Sequence, residues 1–203
     1  MITMRHSHRS AKTRISGGLG LVEVMVVVII VGVLTAAAIP SLMGLLERRR
    51  ILAVTQELAG LLSFARSEAN ANGDSVVVHL EKDPSDAVSC ASVNIQHPSD
   101  ECVCYLPQAE MCKGINVPVL RVFQLKNSDG VSFEASATSW GKHAQKANQL
   151  TFERNQQYLD VTGVQITVQG ARTGAQMRVE LNTANRIRTC SPDGSISGVA
   201  KCG

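Results

Sequence analysis

Three sets of residues in this 203-residue chain could do chemistry beyond packing. The first is six cysteines: Cys90, Cys102, Cys104, Cys112, Cys190 and Cys202. Thiolates can hold zinc, but zinc sites need paired ligands at short spacing. Cys102-Val-Cys104 is one residue tighter than the usual knuckle, and His79, His97 and His143 are scattered, so no metal site is expected. Disulfides are the plainer expectation, because a basic and then apolar N-terminus places the cysteines outside the reducing cytosol. Cys102 and Cys104 are too close in sequence to pair with each other. Each therefore joins Cys90 or Cys112, with the choice open, and Cys190 and Cys202 remain to close the loop SPDGSISGVAK. Closing a loop of that size contributes on the order of 3 kcal/mol in the chain-entropy account.

The second set is one carboxylate, Glu23, near the head of the apolar run SGGLGLVEVMVVVIIVGVLTAAAIP, residues 16–40. The third is Arg186 and Arg188 flanking Ile187. On a strand both arginines point to one face and Ile187 to the other, so two guanidiniums could span neighbouring phosphates while Ile187 anchors the core. Arg172, Arg178 and Lys201 could enlarge that patch, with Glu180 and Asp193 offsetting it. Contacts of this kind follow a phosphate backbone, depend on salt and read no bases. Stacking on single strands has little support, since only Tyr105, Trp140 and Tyr158 fall outside evident core patterns. The plainer reading of the arginine pair is a charged outer strand that discourages edge-to-edge association.

Catalysis is not expected. There is no Ser/His/Asp set and no metal cluster, and GGLG is preceded by no strand, so it is not a nucleotide loop and no cofactor is implied. Total charge is also uninformative. The chain has 20 basic and 17 acidic residues, but Arg5, Arg9, Lys12 and Arg14 fall within the first 18 positions, which hold no acid. Its distribution says more: residues 142–203 hold eight basic residues against four acidic, which makes the C-terminal third the basic part.

These residues must be positioned by a few elements. Leu19 to Ile39 is 21 residues, enough as a helix at ~1.5 Å per residue to cross a hydrocarbon core. A cleaved secretory signal ending after Ala38 is the ordinary alternative. Against it, Glu23 would cost a few kcal/mol, roughly, on insertion, and the apolar pattern continues past Pro40. Ile51, Val54, Leu58, Leu61, Leu62, Ala65 and Ala69 keep helical spacing, with Arg48, Arg49, Arg50, Gln56, Glu57 and Arg66 on the other face, until Asn72-Gly73 stops the helix. Beyond it, β-type runs at 75–80, 119–125, 131–135, 150–153, 163–170, 176–181 and 185–190 predict an antiparallel sheet, with Phe64, Phe123, Phe133 and Phe152 in the core. Residues 81–117 read as a loop-rich insertion. The expected class is α+β, divided at 1–18, 19–40, 41–73 and 74–203.

GGLGLVEVMVVVIIVGVL resembles the type III signal of type IV pilins and pseudopilins, in which a basic leader ends in Gly and the fifth residue after the cut is Glu. The resemblance implies cleavage between Gly18 and Leu19 by a prepilin peptidase, N-methylation of Leu19, and Glu23 as the assembly carboxylate. That carboxylate would neutralise a neighbouring subunit's N-terminal amine, turning two costly buried charges into one pair. Leu19 stands where Phe is usual and Gly20 where Thr is common. The family's fold is a long N-terminal helix packed on an antiparallel sheet with a C-terminal disulfide loop. Its setting is the bacterial inner membrane, crossed once, with the C-terminal domain in the periplasm and then on the filament. Its partners are other major and minor pilins, the peptidase and the inner-membrane assembly platform. LLSFARSEANANGDSVVV is similar to the helix end and first strand of the FimT and GspH class of minor pilins and pseudopilins. FimT-like members carry a Gly-Arg-x-Arg motif associated with binding double-stranded DNA during natural transformation. NRIR matches it at Arg186 and Arg188, with Asn185 in place of Gly.

Overall fold

A computed structural model describes residues 20–96, 101–113, 117–139, 148–155 and 161–203, the side chains of Pro40, Glu101 and Lys113 excepted. One helix, α1, runs Leu21–Asn72. Ten strands follow: β1 Val76–Lys82, β2 Val88–Ile95, β3 Glu101–Cys102, β4 Cys112–Lys113, β5 Val119–Lys126, β6 Val131–Ser136, β7 Gln149–Phe152, β8 Val164–Gly170, β9 Gln176–Leu181 and β10 Ile187–Cys190. They form two four-stranded sheets, ordered β5-β2-β1-β7 and β10-β9-β8-β6, and a two-stranded ribbon β3-β4. Every pairing is antiparallel. A long N-terminal helix, antiparallel sheets and a C-terminal disulfide loop are the architecture that the pilin resemblance implied.

The chain divides into two compact units, one up to Ser41 and one from Leu42 to Gly203. In the first, the large apolar side chains from Leu21 to Ile39 are all exposed, and an 18-residue window has a mean hydropathy of 2.7. The Thr35 hydroxyl donates back to the Val31 carbonyl at 2.8 Å, which spares an unpaired polar group in an apolar setting. Length and composition suit a membrane-spanning helix.

The second unit contains the core. All seven positions of the expected helical stripe, Ile51 through Ala69, are at most 6% exposed and join the inward rows of both larger sheets: Val76, Val78 and Leu80 of β1, Val164, Ile166 and Val168 of β8, and Met177, Val179 and Leu181 of β9. Phe133 and Phe152 are buried, while Phe64 and Phe123 pack half-buried against the same core. The helix ends as expected. Gly73 takes a left-handed φ of 80° and its N–H donates to the Ala69 carbonyl at 3.2 Å.

Two readings are corrected. The single sheet is two, and the supposed loop-rich insertion at 81–117 contains β2, which lies between β5 and β1 and pairs with both. β2 reads VSCASVNI, and its Ser, Cys, Ala and Asn residues hide the strand from propensity. The sulfur pairing left open is resolved as Cys90–Cys104 and Cys102–Cys112, with Cys190–Cys202 closing the terminal loop. Cys102 faces Cys112 directly across the β3-β4 ribbon.

Because the buried stripe and all three disulfides lie beyond Leu42, a chain of residues 42–203 is expected to fold and melt cooperatively under oxidising conditions. Within it, Leu58→Ala should lower stability by about 2–5 kcal/mol in urea unfolding, since Leu58 is fully buried.

Candidate functional site

The β9-β10 turn determines how Arg186 and Arg188 are presented. Asn185 donates its N–H to the Asn182 carbonyl at 2.9 Å, and Asn182 donates to the Arg186 carbonyl at 3.2 Å. The Asn182 side chain accepts from the Arg186 N–H at 2.9 Å. Asn185 itself has a φ of 60°. This is a tight turn followed by one left-handed residue, a position that Gly fills most easily and Asn next. The residue that departs from the Gly-Arg-x-Arg motif thus adopts a conformation suited to glycine. Asn185 is buried, Arg186 and Arg188 are exposed, and Ile187 packs half-buried against the core. Arg188 lies on β10, an edge strand, opposite Glu180 of β9.

The other candidate basic residues are not gathered there. Arg178 is half-buried in mid-β9 and faces Glu180 at 3.7 Å, so its charge is largely answered locally. Arg172 belongs to the β8-β9 turn, at the opposite end of β9 from Arg186; six residues of strand separate the two ends by about 20 Å. Lys201 is also at that far end, over Gly194 of the disulfide loop, where Ser195 and Ser191 bond to the Gln176 backbone. In the same loop, burial works against ionisation of Asp193. Donation from the Ser195 N–H and from the Ser195 and Ser191 hydroxyls outweighs it and lowers the carboxyl's pKa.

The Arg172 turn is held to α1 by Glu47. The Glu47 carboxylate accepts from the backbone N–H groups of Arg172 at 2.7 Å and Thr173 at 2.8 Å. A Cβ on Gly170 would meet this carboxylate at 2.7 Å, so any other residue there would force the Glu47 side chain to shift. Slight burial raises the Glu47 pKa, but the Thr173 hydroxyl, the two N–H groups and the Arg172 charge together bring it below its ordinary value. Beside it, Met43, Leu46, Arg50, Asp129 and Arg172 line a hollow of about 570 Å³.

Glu23 lies in the first turn of α1, exposed, with its N–H donating to the Gly20 carbonyl at 2.9 Å. Gly18 and Leu19 lie outside the described residues, as do His97, His143, Trp140 and Tyr158. His79 is buried on β1, with its Nδ1 3.2 Å from the Gln149 amide. Two clusters bring a carboxylate near two sulfurs, Glu81 with Cys90 and Cys104, and Glu180 with Cys190 and Cys202. In both, the sulfurs are bonded to each other and offer no thiolate. Sequence reasoning placed Arg66 on the polar face of the helix and missed its contact with the β9-β10 turn. The Arg66 Nη1 donates to the Asn185 carbonyl at 3.0 Å, across 119 positions, and no local signal marks that interaction.

The sequence matches no family model and no curated protein. Among solved structures, the minor pseudopilin EpsH of the Vibrio cholerae type 2 secretion system is similar at 14% identity over 70% of this chain and 97% of that one, with a TM-score of 0.44. The Pseudomonas aeruginosa type IV minor pilin FimU is similar at 18% identity over 70% of this chain and 89% of that one, with a TM-score of 0.46. The functional reading therefore rests on this chain's own residues.

Asn185→Gly should leave stability near the wild type, whereas Asn185→Val should cost about 1–3 kcal/mol in urea unfolding, because a β-branched residue is strained at positive φ. The lowered Glu47 pKa stabilises the fold at pH values above the group's unfolded value, and that contribution is lost as pH falls through the folded one. Urea unfolding between pH 7 and pH 3 should therefore show a loss at the acid end, below about pH 4.3. Glu47→Gln should remove that portion of the slope.

Proposed function

We propose that this chain is a minor pilin of a type IV pilus, made as a single-pass inner-membrane precursor with its C-terminal domain in the periplasm. A prepilin peptidase cuts it after Gly18 and methylates Leu19. The assembly platform then joins it to other major and minor pilins through α1, where it initiates or decorates the filament. Arg186 and Arg188 hold double-stranded DNA during uptake in natural transformation. The observation that carries the assembly reading is an apolar helix segment with its large side chains uncovered and one carboxylate, Glu23, in the first turn. Such a surface suits lipid first and neighbouring helices afterwards. A buried amine from the adjacent subunit gives the carboxylate its partner.

A second reading is favoured by the position of β10 at a sheet edge. In it the chain is a GspH-like pseudopilin of type II secretion, and Arg186 and Arg188 serve only to keep that edge from pairing with other strands.

Two measurements test these readings. Glu23→Gln should be processed normally yet fail to enter filaments, and incorporation at the wild-type level would overturn the assembly role. For DNA, the chain from Leu19 to Gly203 in neutral detergent micelles should bind a short duplex with an affinity that falls steeply with salt. Arg186→Ala with Arg188→Ala should lower the log–log slope by about 2, at roughly 0.9 for each phosphate no longer neutralised. A wild-type chain that binds no DNA would favour the pseudopilin reading.

A further inference from the structure

We propose that the DNA surface has a second arm on the end of the helix, in which Arg66 and Arg154 contact the phosphodiester backbone of a duplex alongside Arg186 and Arg188. This inference rests on the DNA-binding reading above. The two arms meet at Asn185, whose carbonyl accepts from Arg66 and whose chain successor is Arg186. One helical turn beyond Arg66 on the same face, the Asn70 side chain accepts from the Asn155 N–H at 2.9 Å, which brings the segment after β7 onto the helix. Arg154 then lies over Gly73, where a Cβ would meet its Nη1 at 3.3 Å. Arg66 and Gly73 are about 10 Å apart along the helix, and Arg186 and Arg188 about 7 Å apart along the chain. Residues from three distant parts of the sequence thus form one basic margin at the C-terminal end of α1.

The state of these arginines separates them from Arg50, Arg121 and Arg178, and they share it with Arg48 and Arg49 further up the helix. Arg50 is paired with Asp129 at 2.6 Å, Arg121 with Glu57 at 2.7 Å, and Arg178 faces Glu180. Arg66, Arg154, Arg186 and Arg188 are all exposed, and none has an acidic ion-pair partner among the described residues. Acidic residues lie close by, with Glu180 opposite Arg188 and Glu153 and Asp74 next in sequence to Arg154 and Gly73, and none of them forms an ion pair with these four arginines among the described residues. Of the described aromatic residues, Phe64 lies half-buried beneath Arg121 and Tyr105 packs on the Cys90–Cys104 cluster. None of the described aromatic residues is exposed, and four exposed guanidiniums suit a charged backbone.

The test is duplex binding by the chain from Leu19 to Gly203 in neutral detergent micelles, from 50 to 200 mM salt, for Arg66→Gln, Arg154→Gln, their combination and Arg66→Lys. Each charge removal should weaken binding equally on unrelated sequences and lower the salt slope by about 1. Arg66→Lys should keep the wild-type slope, because it keeps the charge. If the combined Gln variant has the wild-type slope while the Arg186 and Arg188 variant loses its own, the second arm is wrong and the DNA reading stands. If Arg66→Lys loses as much as Arg66→Gln, Arg66 acts by holding the turn, and its phosphate role is refuted. A wild-type chain that binds no duplex refutes both readings together.

Discussion

One buried stripe on α1, Ile51 to Ala69, is the surface that both four-stranded sheets share. Without it neither sheet has a cover for its inward row, and the amphipathic half of the helix has no partner for its apolar face. Helices gain most of their stability in proteins from such packing rather than from propensity. The stripe also sets which helix residues are left over. Arg50 and Glu57 fall where they can reach Asp129 and Arg121, while Arg66 and Asn70 fall where they meet the β9-β10 turn and the segment after β7. The polar interactions of the helix are thus consequences of how its apolar face is seated.

The turn at Asn185 shows this dependence at the scale of one residue. A left-handed φ there lets β10 return along β9 with Ile187 inward, and that inward anchor leaves Arg186 and Arg188 outside. The Arg66 guanidinium bonds to the carbonyl of the same residue, so helix and hairpin are tied at the left-handed residue of the turn. Exposure of the two arginines follows from backbone geometry and one apolar anchor between them. It does not require a loop free to move.

Much of this was legible in the sequence because it is periodic or local. The seven stripe positions, the Asn72-Gly73 stop, the β8 and β9 strands and the Cys190–Cys202 loop follow from spacing and residue type. β2 was not legible, since its small and polar residues are buried by neighbouring strands rather than selected for strand propensity. The Cys90–Cys104 and Cys102–Cys112 pairing depends on where β2 runs, so it was hidden for the same reason. The arginines of the basic C-terminal third looked like one patch because they are near in sequence. A hairpin sends Arg172 and Arg186 to opposite ends of β9, and sequence distance carries no sign of that.

Arginine in this fold therefore has two states, distinguished by what lies across from it rather than by its neighbours in the chain. Arg121 lies 5.7 Å over the Phe64 ring and bonds Glu57, and Arg50 bonds both the carboxylate and the carbonyl of Asp129. Exposed pairs of this kind contribute only about 0–1 kcal/mol each, but they commit the guanidinium's donors. A residue so committed must give up its partner before it can receive a phosphate, whereas one held by a single carbonyl, as Arg66 is, keeps most of its five donors and all of its charge. Positioning by a neutral carbonyl fixes a cation without neutralising it. That distinction, more than the number of basic residues, separates the helix end from the surroundings of Arg50 and Arg121 as a surface for a polyanion.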